Sequence, residues 1–390
     1  MNQTPKNILM IGHDGSLTGA PVLMLNLAKL LKEKYRLTIV LKRGGILEGR
    51  YSEVADTYIL KGTSYSRPGG IVQKTLSRIG YFFRLLKMIP LFAKADLIFS
   101  NTISNGRLLR IFRFFNKPVL VYVHELESVI RYFDQTKDAT LSLRYADLLL
   151  YPSRAVQDNL VRNHGVDTAK TRWLPYYFPQ ADFSFTASAK EEARSRFRQQ
   201  WKIPGDAKLV AGMGVVSSRK GTDRFVEVAR QAIASDERVY FTWIGDFDDS
   251  GLSRQIKTAY EEGRYPRQLI FTGPMAYAPT NLLPFDLFFL SSVEDPYPLV
   301  VLEAAYQGVP SVCFANSGGI TEFAGEGAGY ILADGGAADT AGSLVTILQE
   351  TERRDAVAAA AREKVTKLHS DPEGLLGIFD TIIYQLKNRI

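Results

Sequence analysis

The chain has 390 residues, of which 46% are hydrophobic and 23% are charged, and this composition is typical of a globular protein. Because the length exceeds what one hydrophobic core usually supports, two domains are expected. Four histidines and one cysteine do not supply the clustered ligands of a protein-bound zinc site, and one cysteine excludes an intramolecular disulfide. Cys313 lies in an apolar run and is predicted to be a buried structural thiol.

The net charge of +7 is unevenly distributed along the chain. Residues 1–175 carry 26 Lys and Arg against 13 Asp and Glu, whereas the remainder carries 22 against 28. Such a basic half favours an anionic partner, which could be lipid headgroups, a phosphorylated substrate or nucleic acid. Charge alone does not choose among the three.

The chain shows no sign of secretion or of a membrane span. Residues 1–6 are polar and lack the pattern of a signal peptide. The most apolar long stretch, residues 71–93, is interrupted by charges and a proline, and no run reaches the 18 or more apolar residues that a span requires. The sequence therefore predicts a cytoplasmic protein that is not an integral membrane protein.

Short apolar runs alternate with helical periodicity in the first half. Residues 8–12 are typical of a buried parallel strand, and residues 21–31 follow with leucines at helical spacing. Further strand-like runs lie at 37–41, 95–100, 118–123 and 148–151. This order predicts a doubly wound α/β sheet.

A second α/β series follows a helix at 153–163 and an irregular segment at 173–188, where we place the domain junction. Two such units offer strand-end loops and a natural ligand cleft between them. A last helix at 375–386 could belong to either unit. The predicted strands are 209–214, 239–245, 269–272, 286–290 and 311–314, with helices at 222–233 and 299–307.

Two glycine-containing loops join a predicted strand to a predicted helix. Gly15 and Gly19 lie in the first, where a helix start offers N–H groups to an anion; a plain connecting loop explains the same residues. The second contains Gly214, Arg219 and Lys220. These two cations could neutralise a diphosphate, or they could be a solvated surface pair.

The segment 291–305 carries carboxylates where a strand gives way to a helix. Asp295 lies in the loop and Glu303 about one turn into the helix, so both can reach one crevice and accept hydrogen bonds from sugar or ribose hydroxyls. Glu294 and Asp295 could simply complement a helix N-terminus. Glu303, however, lies among apolar residues, where a half-buried charge is costly without a ligand.

On these motifs the chain resembles the retaining glycosyltransferases of family 4, whose GT-B fold has two Rossmann-like domains facing across a cleft. The resemblance covers essentially the whole length. It implies that Asp295 contacts the donor sugar and Glu303 the nucleotide ribose. The family usually has Glu at the position of Asp295, so Glu294 is an alternative. The N–H groups near Leu299 and Val300 would face the donor phosphates.

The resemblance extends to other positions. It implies that Lys220 binds the diphosphate; the family's arginine five residues earlier is replaced by Val215, and Arg219 is the candidate substitute. His124 would face the donor sugar. Gly15 and Gly19 would approach the phosphates from the opposite side. The second glycine-rich loop of the family is matched by Gly318, Gly319 and Glu322.

The resemblance implies domains at 1–178 and 179–374, with residues 375–390 crossing back to the first. It also implies transfer of a sugar from a nucleotide diphosphate to a glycan or lipid-linked acceptor, in polysaccharide or glycolipid biosynthesis, without a cofactor or an obligatory metal. A non-catalytic GT-B scaffold in a polysaccharide assembly complex is the alternative, since Val215 and Asp295 depart from the pattern. A GT-B epimerase or phosphorylase stays open as well. Nucleic acid is not an expected partner, because no binding motif is present.

A helical stretch at 74–89 has an apolar and a basic side. This pattern fits a helix lying on an anionic membrane surface, and it fits equally a surface helix packed on its own domain. Arg107, Arg110 and Arg113 add to the basic field. The apolar side is formed by Leu76, Ile79, Phe82, Phe83, Leu86 and Ile89, and the basic side by Lys74, Arg78, Arg84 and Lys87.

Overall fold

The computed structural model describes residues 6–61, 71–179, 185–275 and 280–388, with the backbone alone for residues 71–78. The chain divides into two compact units. One consists of Met1–Phe178 together with Asp371–Ile390, and the other of Pro179–Ser370.

The first unit is built on a seven-stranded parallel sheet with the strand order β3-β2-β1-β4-β5-β6-β7. The central strands are apolar on both faces and buried on both, as expected for a parallel sheet between two layers of helices. The strands are β1 (Asn7–Gly12), β2 (Arg36–Arg43), β3 (Asp56–Lys61), β4 (Leu97–Ser100), β5 (Val119–Tyr122), β6 (Leu148–Tyr151) and β7 (Thr171–Trp173).

Helices cover this sheet in the usual alternation with the strands. They are α1 (Gly19–Leu31), α2 (Glu48–Ser52), α3 (Ile71–Lys94), α4 (Gly106–Phe112), α5 (Glu127–Asp134), α6 (Asp138–Tyr145) and α7 (Arg154–His164).

The second unit is built on a six-stranded parallel sheet with the order β10-β9-β8-β11-β12-β13. Its strands are β8 (Lys208–Met213), β9 (Val239–Ile244), β10 (Leu269–Gly273), β11 (Leu287–Leu290), β12 (Ser311–Phe314) and β13 (Tyr330–Leu332). Its helices are α8 (Ala187–Trp201), α9 (Thr222–Ser235), α10 (Gly251–Glu261), α11 (Leu299–Tyr306), α12 (Ile320–Ala324), α13 (Ala337–Gln349) and α14 (Thr351–His369).

The last helix, α15 (Pro372–Lys387), packs on the first unit. Its start is fixed by Asp371, whose side chain accepts the N–H of Gly374 at 3.0 Å, in the manner of an N-cap. The ring of Phe379 lies edge-on to that of Tyr35, with centroids 5.9 Å apart. Asp380 accepts hydrogen bonds from Lys34 and Tyr35. The end of the chain thus completes the first unit.

Two parallel, Rossmann-like sheets confirm the predicted fold class. In each sheet the order reverses beside the first strand of the unit, between β1 and β4 and between β8 and β11. At such a reversal the loops at the carboxyl ends of the strands diverge and leave a crevice for a ligand. Cys313, on β12, is buried and free, as predicted.

Candidate active site

The crevice of the second unit is flanked by the loops that follow β8 and β11. Lys220, at the end of the first loop, donates a hydrogen bond from Nζ to Asp295 Oδ2 in the second loop, at 2.6 Å. The Lys220 side chain is 18% exposed and that of Asp295 only 5%. The two residues therefore form a largely buried ion pair at the reversal of the sheet. We call this pair and its two loops the Lys220 site.

The aliphatic part of the Lys220 side chain packs against Gly214. Gly214 has a positive φ of +145°, and a Cβ placed on it would stand only 3.1–3.2 Å from Cγ, Cδ and Cε of Lys220. The carbonyl of Gly214 accepts the indole N–H of Trp243 at 2.9 Å. The absence of a side chain at position 214 therefore allows the lysine to lie across the backbone in one fixed position.

The two loops of the Lys220 site are joined by close backbone contacts. Ser291 Oγ donates to the carbonyl of Lys220 at 3.0 Å. Gly221 has φ +63°, and a Cβ on it would lie 1.9 Å from the carbonyl oxygen of Ser291. Arg219 is exposed, and its Nη1 donates to the carbonyl of Glu294 at 3.3 Å. Arg219 thus contacts the backbone of the loop that carries Glu294 and Asp295, which we call the acidic loop, next to the ion pair.

Asp295 also connects to the glycine-rich loop after β12. Its N–H donates to the carbonyl of Ser317 at 3.0 Å, and its own carbonyl accepts the N–H of Gly319 at 3.2 Å. Gly318 has φ +104°, a conformation that side chains disfavour. Three loops from three neighbouring strands therefore meet at one residue.

Helix α11 begins four residues beyond Asp295, with Leu299 and Val300 in its first turn. The first N–H groups of a helix have no partner within it, and they form a site for anions. Glu303 lies in the next turn and is half-buried. Glu322, on the short helix α12, is exposed. The structure thus brings Lys220, Asp295 and the glycine loop together, and places Glu303 on the helix that follows.

In the first unit, His124 follows β5 and is buried, with 9% of its surface exposed. Its Nε2 lies 3.2 Å from Asn101 Oδ1, and its Nδ1 lies 3.3 Å from the hydroxyl of Tyr176. The Asn101 amide nitrogen donates to a carbonyl, so Oδ1 is its acceptor and the His124 proton is assigned to Nε2. Both ring nitrogens have protein partners, which fixes the imidazole.

Burial also sets the charge of this histidine. It lowers the pKa of His124 to about 3, with a smaller contribution from His13 nearby. The imidazole is therefore neutral at physiological pH. Burial raises the pKa of the neighbouring Glu125 to about 8, although its carboxyl accepts a hydrogen bond from the main-chain N–H of His124, which acts in the opposite direction. A fixed, neutral ring suits positioning better than proton transfer, and contact of His124 with a donor sugar stays a prediction.

The two glycines of the first loop have different surroundings. Gly15 packs backbone to backbone on Gly45, because a Cβ on Gly45 would lie 2.3 Å from the carbonyl oxygen of Gly15. Gly15 also accepts the N–H of Leu47 at 2.8 Å. Gly19 is exposed and is the first residue of α1. Gly15 thus serves the packing of the loop against Gly45, which the sequence did not indicate. Its approach to the phosphates of a donor stays a prediction.

Sequence reasoning did not single out Asn101, Tyr176 or Lys42. The first two are the ring partners of His124. Lys42 is the last residue but one of β2 and lines a basic cleft of the first unit. A cation at the carboxyl end of a parallel strand is a recognisable signal, since ligands bind at that edge.

Within the described part of the chain, no three or more His, Cys, Asp or Glu side chains are grouped so that they could hold a metal ion. Within the same residues, no helix combines the length and the apolar character needed to cross a membrane.

Solved structures resemble this chain along nearly its whole length. The Anabaena protein Alr3699/HepE, in complex with UDP and glucose, superposes with a TM-score of 0.78 at 20% identity and covers 98% of this chain and 100% of its own. Sucrose-phosphate synthase from Thermosynechococcus elongatus gives 0.75 at 19% identity, covering 99% and 100%. At these identities the likeness establishes the fold, which is GT-B.

Curated relatives match parts of the chain. Alpha-galactosylglucosyldiacylglycerol synthase of Streptococcus pneumoniae is 27% identical over 148 residues, which is 36% of this chain and 37% of that protein. D-inositol 3-phosphate glycosyltransferase of Corynebacterium kroppenstedtii is 25% identical over 233 residues, 57% of this chain and 50% of that protein. The chain therefore spans half or less of the length of these relatives.

Family models match both units. The model described as Glycosyltransferase Family 4 matches residues 17–176, in the first unit. The model described as Glycosyl transferases group 1 matches residues 193–364, in the second. These matches confirm the resemblance seen in the motifs: the chain belongs to the family 4 type of glycosyltransferases with the GT-B fold.

Proposed function

We propose that the chain transfers a sugar from a nucleotide diphosphate to a hydroxyl of a glycan or lipid-linked acceptor, with retention of the anomeric configuration. The observation that carries the proposal is the Lys220–Asp295 pair at the reversal of the second sheet, 2.6 Å apart and largely buried. A cation fixed at that position, next to a helix N-terminus, suits a leaving group on which negative charge develops.

The proposed reaction is a displacement on one face of the sugar. The bond between the anomeric carbon and the diphosphate oxygen breaks, and a bond forms from the acceptor hydroxyl oxygen to the same carbon on the same face. The acceptor proton passes to the departing diphosphate. The protein positions both substrates and neutralises charge, so no obligatory metal and no separate cofactor is part of the proposal.

The remaining residues receive roles that fit their positions. Lys220 and the N–H groups near Leu299 and Val300 bind the diphosphate, together with the loop at Gly318 and Gly319. Asp295, or Glu294 beside it, accepts hydrogen bonds from the donor sugar. Glu303 accepts from the ribose hydroxyls. Arg219 supports the acidic loop through the Glu294 carbonyl and adds positive charge beside the diphosphate.

Two of the relatives act on lipid or phosphorylated acceptors according to their names, a diacylglycerol glycolipid synthase and an inositol phosphate glycosyltransferase. These names support an acceptor of one of those kinds for this chain. The first name also favours a role in glycolipid synthesis. Cell-surface polysaccharide synthesis is the other role proposed, in either case on the cytoplasmic side of a membrane.

A nucleotide screen tests this proposal. The melting temperature is measured with UDP, GDP, ADP and dTDP, and then with the corresponding α-linked nucleotide sugars. We expect one nucleotide to raise the melting temperature by several degrees, since a ligand at 100 times its Kd stabilises the folded state by about 2.7 kcal/mol. The anomeric proton of the product, read by NMR, should show the α configuration of the donor.

Two outcomes would count against the proposal. A β-linked product would reject retention. The absence of any shift with all four nucleotides and their sugars would favour the other function considered, a non-catalytic GT-B scaffold within a polysaccharide assembly complex.

We further propose that α3 binds an anionic membrane surface. The side of α3 that packs into the core carries Met88 and Phe92, which are 3% and 0% exposed. Tyr81, Leu85 and Leu91 are half-buried and pack against the same core. Five further apolar residues point to solvent and are 42–58% exposed; they are Ile79, Phe82, Phe83, Leu86 and Ile89. We call these five residues the apolar face of α3. Leu76, Lys74 and Arg78 lie outside the residues whose side chains are described.

The apolar face is therefore a second stripe, distinct from the one that packs on the domain. Arg84 and Lys87 are exposed beside it. An apolar face bordered by cations is the pattern of a helix that lies in the interface of an anionic bilayer.

Replacing Phe82 and Phe83 by glutamate should weaken vesicle binding, because the change removes two large apolar side chains and adds two negative charges at the surface. We expect at least a tenfold loss in the fraction that floats with vesicles containing phosphatidylglycerol, measured at low salt. The control is Tyr384→Glu, on α15, which is 66% exposed and should leave flotation unchanged. Equal flotation of wild type and the double variant would reject the membrane face.

A further inference from the structure

The first unit contains a cleft of about 590 Å³ at the carboxyl ends of its strands. It opens beside His13, which follows β1, and is bordered by the ends of β2 and β3 and by helices α3 to α6. Among the described residues, five cationic side chains and two carboxylates line it. We call it the basic cleft; the cations are Lys42, Arg43, Lys61, Arg107 and Arg110, and the carboxylates are Asp14 and Asp138.

The described carboxylates of the cleft neutralise less than half of its described cationic charge. The Asp138 carboxylate is 3% exposed and pairs with Arg107, whose Nη2 lies 2.9 Å away. Asp138 also accepts the main-chain N–H of Arg107 at 2.8 Å. Asp14 accepts hydrogen bonds from Ser16. The two carboxylates thus offset two of the five cations, and the balance attracts an anion.

Lys42 is the most enclosed of these cations. It is half-buried, and its Nζ donates to the carbonyl of Ser104. Burial lowers the pKa of Lys42 to about 8, with the neighbouring cations Arg107, Arg43 and Lys61 acting in the same direction and Asp138 opposing them. A cation held among cations costs free energy, and an anionic ligand would recover it.

The wall of the cleft also includes amphipathic and apolar groups. Lys61 lies over the ring of Tyr81, with Nζ 5.3 Å from the centroid. Ile111 and Tyr132, which line the same cleft, are 48% and 65% exposed. Tyr81 belongs to α3, so the cleft adjoins the helix that carries the apolar face. At its other end, His13 is close enough to His124 to affect its pKa.

We infer that the basic cleft binds a phosphate group of the acceptor, as a phosphomonoester or a diphosphate. This inference rests on the proposed function and gives the acceptor a chemical class. A phosphate carries up to two negative charges and accepts hydrogen bonds at three oxygens, which matches several converging cations better than a single carboxylate does. The cleft lies in the first unit, whereas the diphosphate of the donor is assigned to the Lys220 site in the second.

The test uses one chemical group from two sources. Full-length protein is titrated with glycerol 3-phosphate in solution, and separately with vesicles containing phosphatidic acid, which presents the same group on a lipid. Glycerol is the counterpart without phosphate in solution. Vesicles containing phosphatidylglycerol are the counterpart on a lipid, because they present the anionic surface that α3 is proposed to bind and lack the phosphomonoester. Binding to glycerol 3-phosphate indicates a free phosphorylated acceptor, and stronger binding to phosphatidic acid than to phosphatidylglycerol vesicles, without binding to glycerol 3-phosphate, indicates a lipid-linked one; both results support the inference.

The decisive variant is Lys42→Met with Lys61→Met, which removes two cations of the basic cleft and keeps unbranched side chains that are shorter by one atom. We expect at least a tenfold loss of affinity for the phosphate probe. The matched control is Lys32→Met with Arg36→Met, which removes the same charge from exposed positions outside the cleft and should keep the affinity within twofold. Arg110→Gln, at an exposed position of the cleft, is the second variant if the first is poorly folded.

Nucleotide binding separates this inference from the proposed function. The variant of the cleft should keep wild-type affinity for the nucleotide found in the melting screen. Loss of nucleotide affinity in that variant would place the cleft in the donor site and overturn the inference. Absence of phosphate binding in both arms, or an equal loss in the control, would overturn it too. In each of these cases the proposed function is unaffected, provided that the wild-type protein binds a nucleotide.

Discussion

Replacing Lys220 by alanine should lower turnover on the order of 10²- to 10³-fold, the loss expected when one preorganised group that stabilises developing charge is removed. The ammonium is fixed by Asp295 at 2.6 Å and by the close approach of its stem to Gly214. In the proposed reaction it would therefore act without reorganising when the diphosphate departs. The measurement is kcat with the donor that the nucleotide screen identifies.

The substitution also leaves Asp295 without its cation, at a position that is 5% exposed. Removing one partner of a buried pair costs about 3 kcal/mol in the free energy of unfolding, so a loss of turnover could reflect a loss of folding. A double variant separates the two effects. Lys220→Met with Asp295→Asn replaces the ion pair by neutral groups of similar size and should regain most of the stability, without regaining turnover.

Two results would argue against the assigned role of Lys220. If the Lys220→Ala variant turns over substrate at the wild-type rate, Lys220 does not have this role. Recovery of turnover in the double variant would mean that the pair acts only on stability. The matched control is Arg230→Ala, on the same unit, because Arg230 is an exposed cation that pairs with Glu227 at 3.2 Å. This substitution should change neither the turnover nor the free energy of unfolding appreciably.

The regular parts of the fold were predictable because both sheets are parallel and buried on both faces. Runs such as Leu148–Tyr151 and Leu287–Leu290 are continuous apolar segments of four residues, which is too short for a buried helix and typical of a buried parallel strand. Three of the four edge strands lack this signal. β3 begins with Asp56 and Thr57, ends with Lys61 and is largely exposed or half-buried, and β7 and β13 have three residues each, too few to establish a period.

The site was predictable in its residue types and not in its contacts. Lys220 and Asp295 are separated by 75 positions, and nothing in their local patterns indicates that they pair. What brings them together is the sheet order, which puts β8 next to β11. The order follows from packing across the whole unit, so the contact becomes visible only once the sheet is assembled.

Helix α3 shows a related limit. Its sequence offers an apolar stripe, and either a core contact or a membrane contact explains such a stripe. The structure shows which apolar residues of the helix pack in the core and which do not, since Met88 and Phe92 face the core whereas Phe82 and Phe83 are each 58% exposed. Two stripes on one helix cannot be distinguished by hydrophobicity, because both are apolar.

A comparison of two glycines tests how closely the loops of the Lys220 site are joined. Gly221 has φ +63°, and a Cβ on it would lie 1.9 Å from the Ser291 carbonyl oxygen; Gly263 has φ +68° and nothing within 4 Å of such a Cβ. Alanine at either position meets the same backbone penalty of about 1 kcal/mol. Only Gly221→Ala also adds a clash with the backbone, and overpacking of this kind lowers the free energy of unfolding by about 1–3 kcal/mol.

Gly221→Ala should therefore lower the free energy of unfolding by about 3 kcal/mol, and Gly263→Ala by about 1 kcal/mol, in urea unfolding at equal protein concentration. Relief of the clash must move Ser291 or Gly221, and Gly221 adjoins Lys220. A displacement of the ammonium by about 1 Å lowers turnover on the order of 10²-fold, which Gly263→Ala should not do. Equal losses of stability in the two variants, or normal turnover in a folded Gly221→Ala protein, would show that the loops separate at little cost and that Lys220 is not held in place by this contact.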